Sequence, residues 1–144
     1  MVTASQDELT EQVIGLAMKV HRALGPGFVE FVYRNALIHE LKKNGIKVEP
    51  EKPLKVVYDG AIVGDFKADL FLDEWLLCEL KAVRNLLPEH EVQLVNYLAA
   101  LNLDFGLLMN FGGYSLDFKR KYRRNGSEKT GFKKRKSESL LSDL

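Results

Sequence analysis

Residues 66–83 read FKADLFLDEWLLCELKAV, and this stretch decides the fold. Its first half alternates as a half-buried strand does, and the side chains expected together on one face are Phe66, Ala68, Leu70 and Leu72. After a turn at Asp73-Glu74, the run from Trp75 to Val83 is almost continuously apolar, which is typical of a central strand covered on both sides. Only Glu79 and Lys81 interrupt that run. The stretch therefore predicts two antiparallel strands, with charged side chains inside the second.

The charged residues of this strand pair are expected to meet. Glu79 and Lys81 are two residues apart, so they project from the same face of the sheet, whereas Cys78 and Leu80 point the other way, into the core. Pairing the strands about the turn places Asp69 beside Glu79 or one pair away. Two carboxylates and one ammonium group would then converge on one spot.

Such a group of charges needs a physical reason, because burying a charge in a strand is costly unless it is paired or bound to a metal ion. A hard divalent cation between Asp69 and Glu79 would remove their repulsion, and Mg²⁺ binds carboxylates, waters and phosphate oxygens at about 2.0–2.1 Å. Lys81 would stabilise developing phosphate charge or position the attacking water. The alternative is a Glu79–Lys81 ion pair on a solvated face of the sheet.

Two helices are predicted before the strands. Residues 5–8 read SQDE and fit a capping box, with Ser5 as the N-cap of the first helix. Leu24-Gly25-Pro26-Gly27 ends that helix, because glycine adopts the left-handed cap conformation and proline cannot continue the helix. The second helix is expected over residues 28–43.

The remaining elements complete a mixed sheet with helices packed against it. Residues 54–58 alternate, and Asp59-Gly60 is a hairpin turn that leads into the strand at residues 62–72. The later elements are a helix at residues 89–102, a buried strand at 105–111 and a short edge strand that begins near Leu116. The predicted order is αα-βββ-α-β(β), an α/β fold of the α+β mixed-sheet type.

Composition limits the setting of the chain. No apolar run approaches the roughly 18 residues that a membrane helix needs, and the polar, acidic start does not fit a signal peptide. Cys78 is the single cysteine, so no disulfide can form within the chain, and its apolar neighbours predict a buried thiol. We expect a cytoplasmic protein without membrane contact.

The net charge of +1 conceals an asymmetry. Residues 1–118 carry 11 Lys and Arg against 17 Asp and Glu, a net charge of −6, whereas residues 119–144 carry 10 against 3, a net charge of +7. We divide the chain into a domain at residues 1–124 and a basic, disordered tail at 125–144. A second basic cluster follows at 133–136. The residues expected to contact nucleic-acid phosphates and bases are Lys119, Arg120, Lys121, Tyr122, Arg123 and Arg124.

Other roles remain open for these basic residues. The cluster that begins at Lys119 would also suit an edge strand whose charges prevent aggregation. Both clusters would also suit a solvated end, or partners for the acidic body of the chain.

Several stretches resemble one known family. Asp69 followed by Glu79-Leu80-Lys81 resembles the D-x(n)-E-x-K core of the PD-(D/E)XK nuclease superfamily, and residues 27–33, GFVEFVY, are similar to the signature of its GxxExxY protein family. Further similar stretches are residues 21–27, 68–70, 79–83, 90–98 and 106–112. The resemblance covers roughly residues 8–122 and implies a restriction-endonuclease-like core.

The resemblance also implies a set of site residues. It assigns Mg²⁺ or Mn²⁺ to Asp69, Glu79 and the backbone carbonyl of Leu80, and it makes Lys81 the catalytic lysine. The further residues that it adds are Glu30, as a catalytic group or additional metal ligand, and Gln93 and Tyr97 on the helix after the catalytic strand.

The residues themselves also allow simpler explanations. Glu30 would suit the first turn of a helix because of the helix dipole. Its neighbours Tyr33 and Arg34 are expected to share its helix face. Gln93 and Tyr97 would form an ordinary pair on a helix surface.

Three functions fit this pattern. The first is a metal-dependent nuclease, acting on DNA rather than RNA, with a homodimer as one expected form. The second is a non-catalytic module that binds nucleic acid or assembles with partners through the same fold. The third is a hydrolase of another phosphate ester. The chain contains neither a P-loop nor a dinucleotide-binding glycine motif, which argues against a nucleotide-driven motor or a dehydrogenase.

Overall fold

The structure is a computed structural model that describes residues 3–123. In chain order its elements are α1 Ala4–Leu24, α2 Glu30–Lys43, β1 Val48–Tyr58, β2 Ala61–Leu72, β3 Leu76–Lys81, α3 Pro88–Leu101, β4 Phe105–Asn110 and β5 Asp117–Tyr122. The predicted order and the mixed α/β class are confirmed. The predicted tail at residues 125–144 lies outside the described residues, as does Arg124.

The helix starts differ from prediction. Thr3, not Ser5, is the N-cap of α1: its hydroxyl accepts a hydrogen bond from the Gln6 N–H at 3.1 Å, and the Gln6 side chain accepts one from the Thr3 N–H at 2.9 Å. Thr3 and Gln6 match the capping-box pattern as Ser5 and Glu8 do, and the cap at Thr3 makes the helix two residues longer. Helix α2 begins at Glu30 rather than Phe28, because Val29 is still extended.

The five strands form one sheet in the order β1-β2-β3-β4-β5. Neighbouring strands are antiparallel except for β3 and β4, which run parallel. A parallel pair needs a crossover, and α3 supplies it. This topology places the end of β3, with Glu79 and Lys81, in the middle of the sheet.

Helices cover both faces of the sheet. Helices α1 and α2 pack on one face, over a core that includes Leu70, Leu72, Cys78, Leu80, Leu107 and Met109. Helix α3 packs on the other face, over Leu54, Ala68, Phe71, Leu77 and Leu108. Cys78 is buried, as predicted.

The prediction that Phe66, Ala68, Leu70 and Leu72 share one face of β2 is wrong. Leu70 and Leu72 face α1 and α2, whereas Ala68 belongs to the core under α3, and the Phe66 ring centroid lies 5.7 Å from that of Tyr97 on α3. The alternation is therefore interrupted at Asp69. Opposite this point on β1, Glu51 has a left-handed backbone with φ of 55°, a conformation that disturbs a regular strand.

Strands β1 and β2 are paired from Val48↔Leu72 to Tyr58↔Ala61. Strand β1 is longer than predicted because it includes Pro50 and Pro53, which an edge strand tolerates. No helix among residues 3–123 is long and apolar enough to cross a membrane.

Candidate active site

Strands β2 and β3 separate at the predicted carboxylates. Their ladder ends at Leu70↔Cys78, and side chains replace it from there. The Asp69 N–H donates to Glu79 Oε2 at 2.9 Å, and the Leu80 N–H donates to Asp69 Oδ2 at 2.7 Å. Each carboxylate thus accepts a hydrogen bond from the backbone of the other strand. The structure brings Asp69 and Glu79 together, as the strand pairing predicted.

Glu79 is the most deeply buried carboxylate of this pair, with 6% of its surface exposed. Burial, and then the negative charge of Asp69, raise its pKa to about 8. The hydrogen bond from the Asp69 backbone and the charge of Lys81 act in the opposite direction. The site therefore concentrates negative charge where little water screens it.

Glu30 reaches the same site from the first turn of α2. Its pKa is raised to about 7 by burial, then by the charge of Asp69, while Lys81 and Arg34 lower it. These influences place Glu30 close to Asp69, Lys81 and Arg34, and its role as a catalytic group or metal ligand stays a prediction.

Arg34 belongs to the site but was not among the predicted site residues. Its Nη1 lies 3.7 Å from Asp69 Oδ1, and its Nη2 lies 3.8 Å from Glu51 Oε2. The spacing of Glu30 and Arg34 was a usable signal, since residues i and i+4 share a helix face. Tyr33 does not share that face: it is fully buried and stacks on Phe111 at 4.9 Å.

Lys81 is the last residue of β3, and the chain around it is tightly fixed. The Phe111 N–H donates to the Lys81 carbonyl at 2.8 Å. The Asn110 side chain accepts from the Val83 N–H at 2.9 Å and donates to the Val83 carbonyl at 2.8 Å. Gly112 permits this approach, because a Cβ there would lie 2.1 Å from the Val83 oxygen. Asn110 and Gly112 therefore position the segment that follows Lys81.

Helix α3 borders the site through Tyr97. Burial raises the pKa of the Tyr97 hydroxyl, and the charges of Glu79 and Asp69 raise it further. Gln93 lies one turn earlier on the same helix and is half-buried. The Gln93 side chain makes no hydrogen bond to another residue in the range 3–123, so the alternative of a hydrogen-bonded surface pair with Tyr97 is not formed.

The donor set suits a hard divalent cation that also binds waters and phosphate oxygens. Glu79 Oε1 and Asp69 Oδ1 accept no hydrogen bond from residues 3–123, and Asp69 Oδ1 lies 3.7 Å from Arg34 Nη1. The Leu80 side chain is buried on the opposite face, so Leu80 offers the site only its backbone. Among the described residues, no three His, Cys, Asp or Glu side chains are arranged to hold a metal by themselves. The pair fits a hard divalent cation that takes one or two carboxylates and completes its coordination with waters.

The histidines near these elements are structural. His21 Nε2 lies 2.8 Å from the Gly113 carbonyl and is 4% exposed. His90 Nδ1 accepts the Leu87 N–H at 3.0 Å at the start of α3.

Residues 119–122 of the predicted basic cluster lie in the edge strand β5, which divides them between two faces. Lys119 and Lys121 pair with Leu108 and Gly106 of β4 and lie on the α3 face, with the site. Arg120 and Tyr122 lie on the other face, and the Tyr122 ring contacts Phe105 at 5.1 Å.

Part of this cluster is bound by acidic residues. Lys121 Nζ lies 2.9 Å from Glu91 Oε1, and Arg123 Nη2 lies 2.8 Å from Asp104 Oδ1. Glu79 of β3 and Lys119 of β5 both pair with Leu108 of β4. Lys119 is therefore two strand spacings, or about 10 Å, from Glu79. Lys119 is thus the member of the cluster best placed toward the site.

Comparison with known proteins agrees with this architecture. No curated protein matches the chain significantly. The crystal structure of SSO0001 is 19% identical with a TM-score of 0.53, over 68% of this chain and 52% of that one. The chain therefore spans about half the length of SSO0001. An alkaline exonuclease (LHK-Exo) from Laribacter hongkongensis is 11% identical with a TM-score of 0.50, over 99% of this chain and 81% of that one.

These two likenesses concern the fold. The family follows from a sequence model described as the PD-(D/E)XK nuclease superfamily, which matches residues 7–124. That match includes all the strands and the carboxylate pair at the point where β2 and β3 separate. The chain belongs to the PD-(D/E)XK nuclease superfamily.

Proposed function

We propose that this protein is a divalent-metal-dependent nuclease that hydrolyses phosphodiester bonds of DNA, within the GxxExxY group of the superfamily. The observation that carries the proposal is the meeting of Asp69 and Glu79, with Lys81 two residues further on the same face. Superfamily membership supports nuclease activity, and the motif at residues 27–33 supports the narrower group.

In this proposal Asp69, Glu79 and the Leu80 carbonyl hold Mg²⁺ or Mn²⁺, and Glu30 orients a water near the ion, since no three acidic side chains among residues 3–123 are arranged to hold a metal together. A bound divalent ion would supply positive charge to the scissile phosphate and to the attacking oxygen. The two carboxylates suit this role because each already has one oxygen fixed by a backbone N–H, which sets the direction of the other. Such fixed groups cost little reorganisation during the reaction.

The neighbouring side chains act on the substrate. The Lys81 ammonium stabilises the negative charge that develops on the phosphate oxygens, and the segment tied by Asn110 holds it in place. Tyr97 and Gln93 position the nucleic acid along α3. Burial, and then the charges of Glu79 and Asp69, raise the pKa of the Tyr97 hydroxyl, which places it close to the carboxylates. Lys119 contacts a phosphate beyond the site.

A specific observation favours one alternative, a non-catalytic module that binds nucleic acid or assembles with partners. The Arg34 guanidinium lies 3.7 Å from Asp69, so it supplies an internal positive charge where the nuclease would hold a metal. In a non-catalytic protein Arg34 would suffice to stabilise the carboxylates, and an added metal would bind no more tightly to wild type than to a variant without them.

The test of the proposed function is cleavage by the pure protein. Supercoiled plasmid, linear duplex, single-stranded DNA and RNA are each incubated with Mg²⁺, Mn²⁺ or EDTA. The proposal predicts cleavage of DNA that requires the metal and is abolished by Asp69→Asn. Binding of DNA that is the same in Mg²⁺, Mn²⁺ and EDTA, without cleavage of any of these substrates, would favour the non-catalytic module.

A further inference from the structure

An exposed aromatic ring lies beside the candidate site at the base of the β1–β2 hairpin. Phe66 is 43% exposed and precedes Asp69 by three residues on β2, which corresponds to about 10 Å along a strand. Its ring centroid lies 5.7 Å from that of Tyr97 on α3, and the two ring planes are inclined by 36°. Aromatic rings at this spacing attract each other. We call the pair of Phe66 and Tyr97 the aromatic shelf.

The aromatic shelf lies on the same face of the sheet as the site. Phe66 pairs with Leu54 of β1, and Leu54 belongs to the core under α3. Glu79 alternates with Leu80, which belongs to the core under α1 and α2, so the Glu79 side chain also points to the α3 face. Burial and the charge of Glu79 both raise the pKa of the Tyr97 hydroxyl. The shelf is therefore next to the carboxylates.

Gly64 determines where the Phe66 ring lies. The two residues are two apart on β2 and so share a face. A Cβ at position 64 would lie 2.7 Å from Phe66 Cε2 and 3.4 Å from Phe66 Cζ, so a larger residue would displace the ring. Gly64 is not among the glycines with positive φ, and its backbone therefore does not require glycine. What the missing side chain provides is room for the ring.

The size of the exposed surface fits one nucleobase. An aromatic side chain presents about 150–250 Å², of which Phe66 leaves 43% exposed, whereas a stable protein interface takes roughly 800 Å² from each partner. Bases stack on aromatic rings with little regard to sequence, because every base has a flat face. In a closed duplex the neighbouring base pairs cover those faces, so only an unpaired base can stack on the shelf.

A basic side chain on the same face suits the phosphates of such a strand. Lys52 of β1 pairs with Ala68, which is two residues from Phe66 toward the site. Its Nζ lies 4.8 Å from the centroid of the Phe71 ring, which belongs to the core under α3. The ion pair of Lys52 with Glu49, 3.8 Å long and open to solvent, is weak, so the ammonium group can bind a phosphate instead.

We propose that Phe66 stacks on an unpaired base of the bound strand, so that the site takes single-stranded DNA or an unpaired DNA end in preference to a closed duplex. The inference rests on the proposed function, because it takes DNA as the molecule bound beside Asp69 and Glu79. Phe66 is too far from the carboxylates to contact the scissile phosphate. Its role is to fix where the strand lies.

The fluorescence of 2-aminopurine, a base analogue that stacking quenches, tests the proposal without cleavage. The full chain in EDTA is titrated into a short single-stranded DNA that carries 2-aminopurine, and into the same DNA closed as a blunt duplex. Phe66→Leu removes the ring, whereas Phe66→Tyr retains it. The matched control is Tyr58→Leu, which removes a 73% exposed ring from the tip of the same hairpin. Tyr58 pairs with Ala61, five residues before Phe66, or about 17 Å away.

The single-stranded DNA should distinguish the variants. We expect wild type, Phe66→Tyr and Tyr58→Leu to quench the fluorescence equally. Phe66→Leu should quench it less and bind the single strand about fivefold or more weakly. The affinity for the duplex should be the same in all four proteins, since its bases are already stacked on their neighbours.

Gly64→Ala separates the position of the ring from its presence, and it keeps the test decisive if Phe66→Leu unfolds. The added Cβ displaces the free end of the Phe66 side chain, which can move without disturbing the backbone, so this variant should remain folded and still lose quenching.

Three results would overturn the inference even if the protein cleaves DNA. They are a wild type that does not quench, equal quenching by wild type, Phe66→Leu and Gly64→Ala, and a loss of affinity in Phe66→Leu that is as large for the duplex as for the single strand. Quenching that depends on the Phe66 ring, in a wild type that cleaves no DNA, would support the inference and contradict only the nuclease activity.

Discussion

The individual acidic residues of the site carry negative charges that repel each other. Asp69 and Glu79 lie together, Glu30 approaches from α2, and Lys81 and Arg34 compensate only in part. Such an arrangement lowers stability unless a cation completes it. The repulsion among the carboxylates is therefore the physical basis of the proposed metal site.

Glu79 predicts how the stability of the metal-free protein depends on pH. Its pKa is raised from 4.5 to about 8 in the folded chain, so folding favours the protonated carboxyl. The stability from this preference is fully present below pH 4.5 and is lost as the pH rises through 8. In EDTA, wild type should lose on the order of a few kcal/mol of unfolding free energy over this window relative to Glu79→Gln.

Urea unfolding at several pH values measures this difference. Glu11→Gln, at an exposed position of α1, is the control and should follow wild type. Parallel curves for wild type and Glu79→Gln would mean that Glu79 titrates normally.

Lys81 is predicted to act in chemistry rather than in folding. Lys81→Met keeps much of the side-chain stem, so stability should change by less than about 1.5 kcal/mol. Cleavage should fall by about two orders of magnitude or more, while Mn²⁺ still raises the melting temperature. Lys42→Met, on an exposed part of α2, is the control. Undiminished cleavage by Lys81→Met would reduce Lys81 to a structural ion-pair partner.

Among the elements, the segments after β3 and β4 fix the site. Asn110 holds Val83 by two hydrogen bonds, and the Phe111 N–H holds the Lys81 carbonyl. The orientation of the Lys81 side chain thus depends on the backbone position that the uncharged residues Asn110 and Phe111 fix.

Gly112→Ala tests this dependence. The added Cβ would lie 2.1 Å from the Val83 oxygen, and backbone atoms cannot move aside cheaply. We expect a loss of about 1–3 kcal/mol or more in urea unfolding. Gly113→Ala is a matched control, since its Cβ would meet nothing closer than 3.6 Å. Equal stability of the two variants would show that the close approach at Gly112 is not important.

The sequence predicted the elements and the carboxylate pair because these depend on short-range patterns. The period-two spacing of Glu79 and Lys81, with a short turn before them, sufficed to place Asp69 beside Glu79. Arg34 escaped prediction as a site residue because its partner Asp69 is distant in the chain and the crossing of α2 over the sheet is a tertiary feature. The length of β1 escaped because Pro50 and Pro53 are unfavourable in most strands.

Two further differences have the same origin. The interruption of β2 at Asp69 lies opposite the left-handed Glu51 of the neighbouring strand. The division of the basic cluster between two faces follows from its pairing with β4. Neither feature can be predicted from the spacing of residues within one strand, since each depends on the pairing with a neighbouring strand.

Over the whole molecule, charge is divided between an acidic body and a basic end. Removing residues 126–144 deletes five basic and three acidic residues and none of the described elements. DNA binding should weaken and its salt dependence should become shallower, because fewer counterions are released. Turnover at saturating DNA should persist, since the site is intact. Titrations at several salt concentrations measure this, and unchanged affinity and slope would exclude residues 126–144 from binding.

The most direct test of the metal site is thermal unfolding of wild type and of Asp69→Asn with Glu79→Gln, each with EDTA or with Mn²⁺. A metal that binds the native state raises the melting temperature as its concentration increases. Wild type should show a rise that grows with Mn²⁺, and the double variant should show none while unfolding cooperatively. An equal rise in both proteins would contradict the assignment of Asp69 and Glu79 as metal ligands.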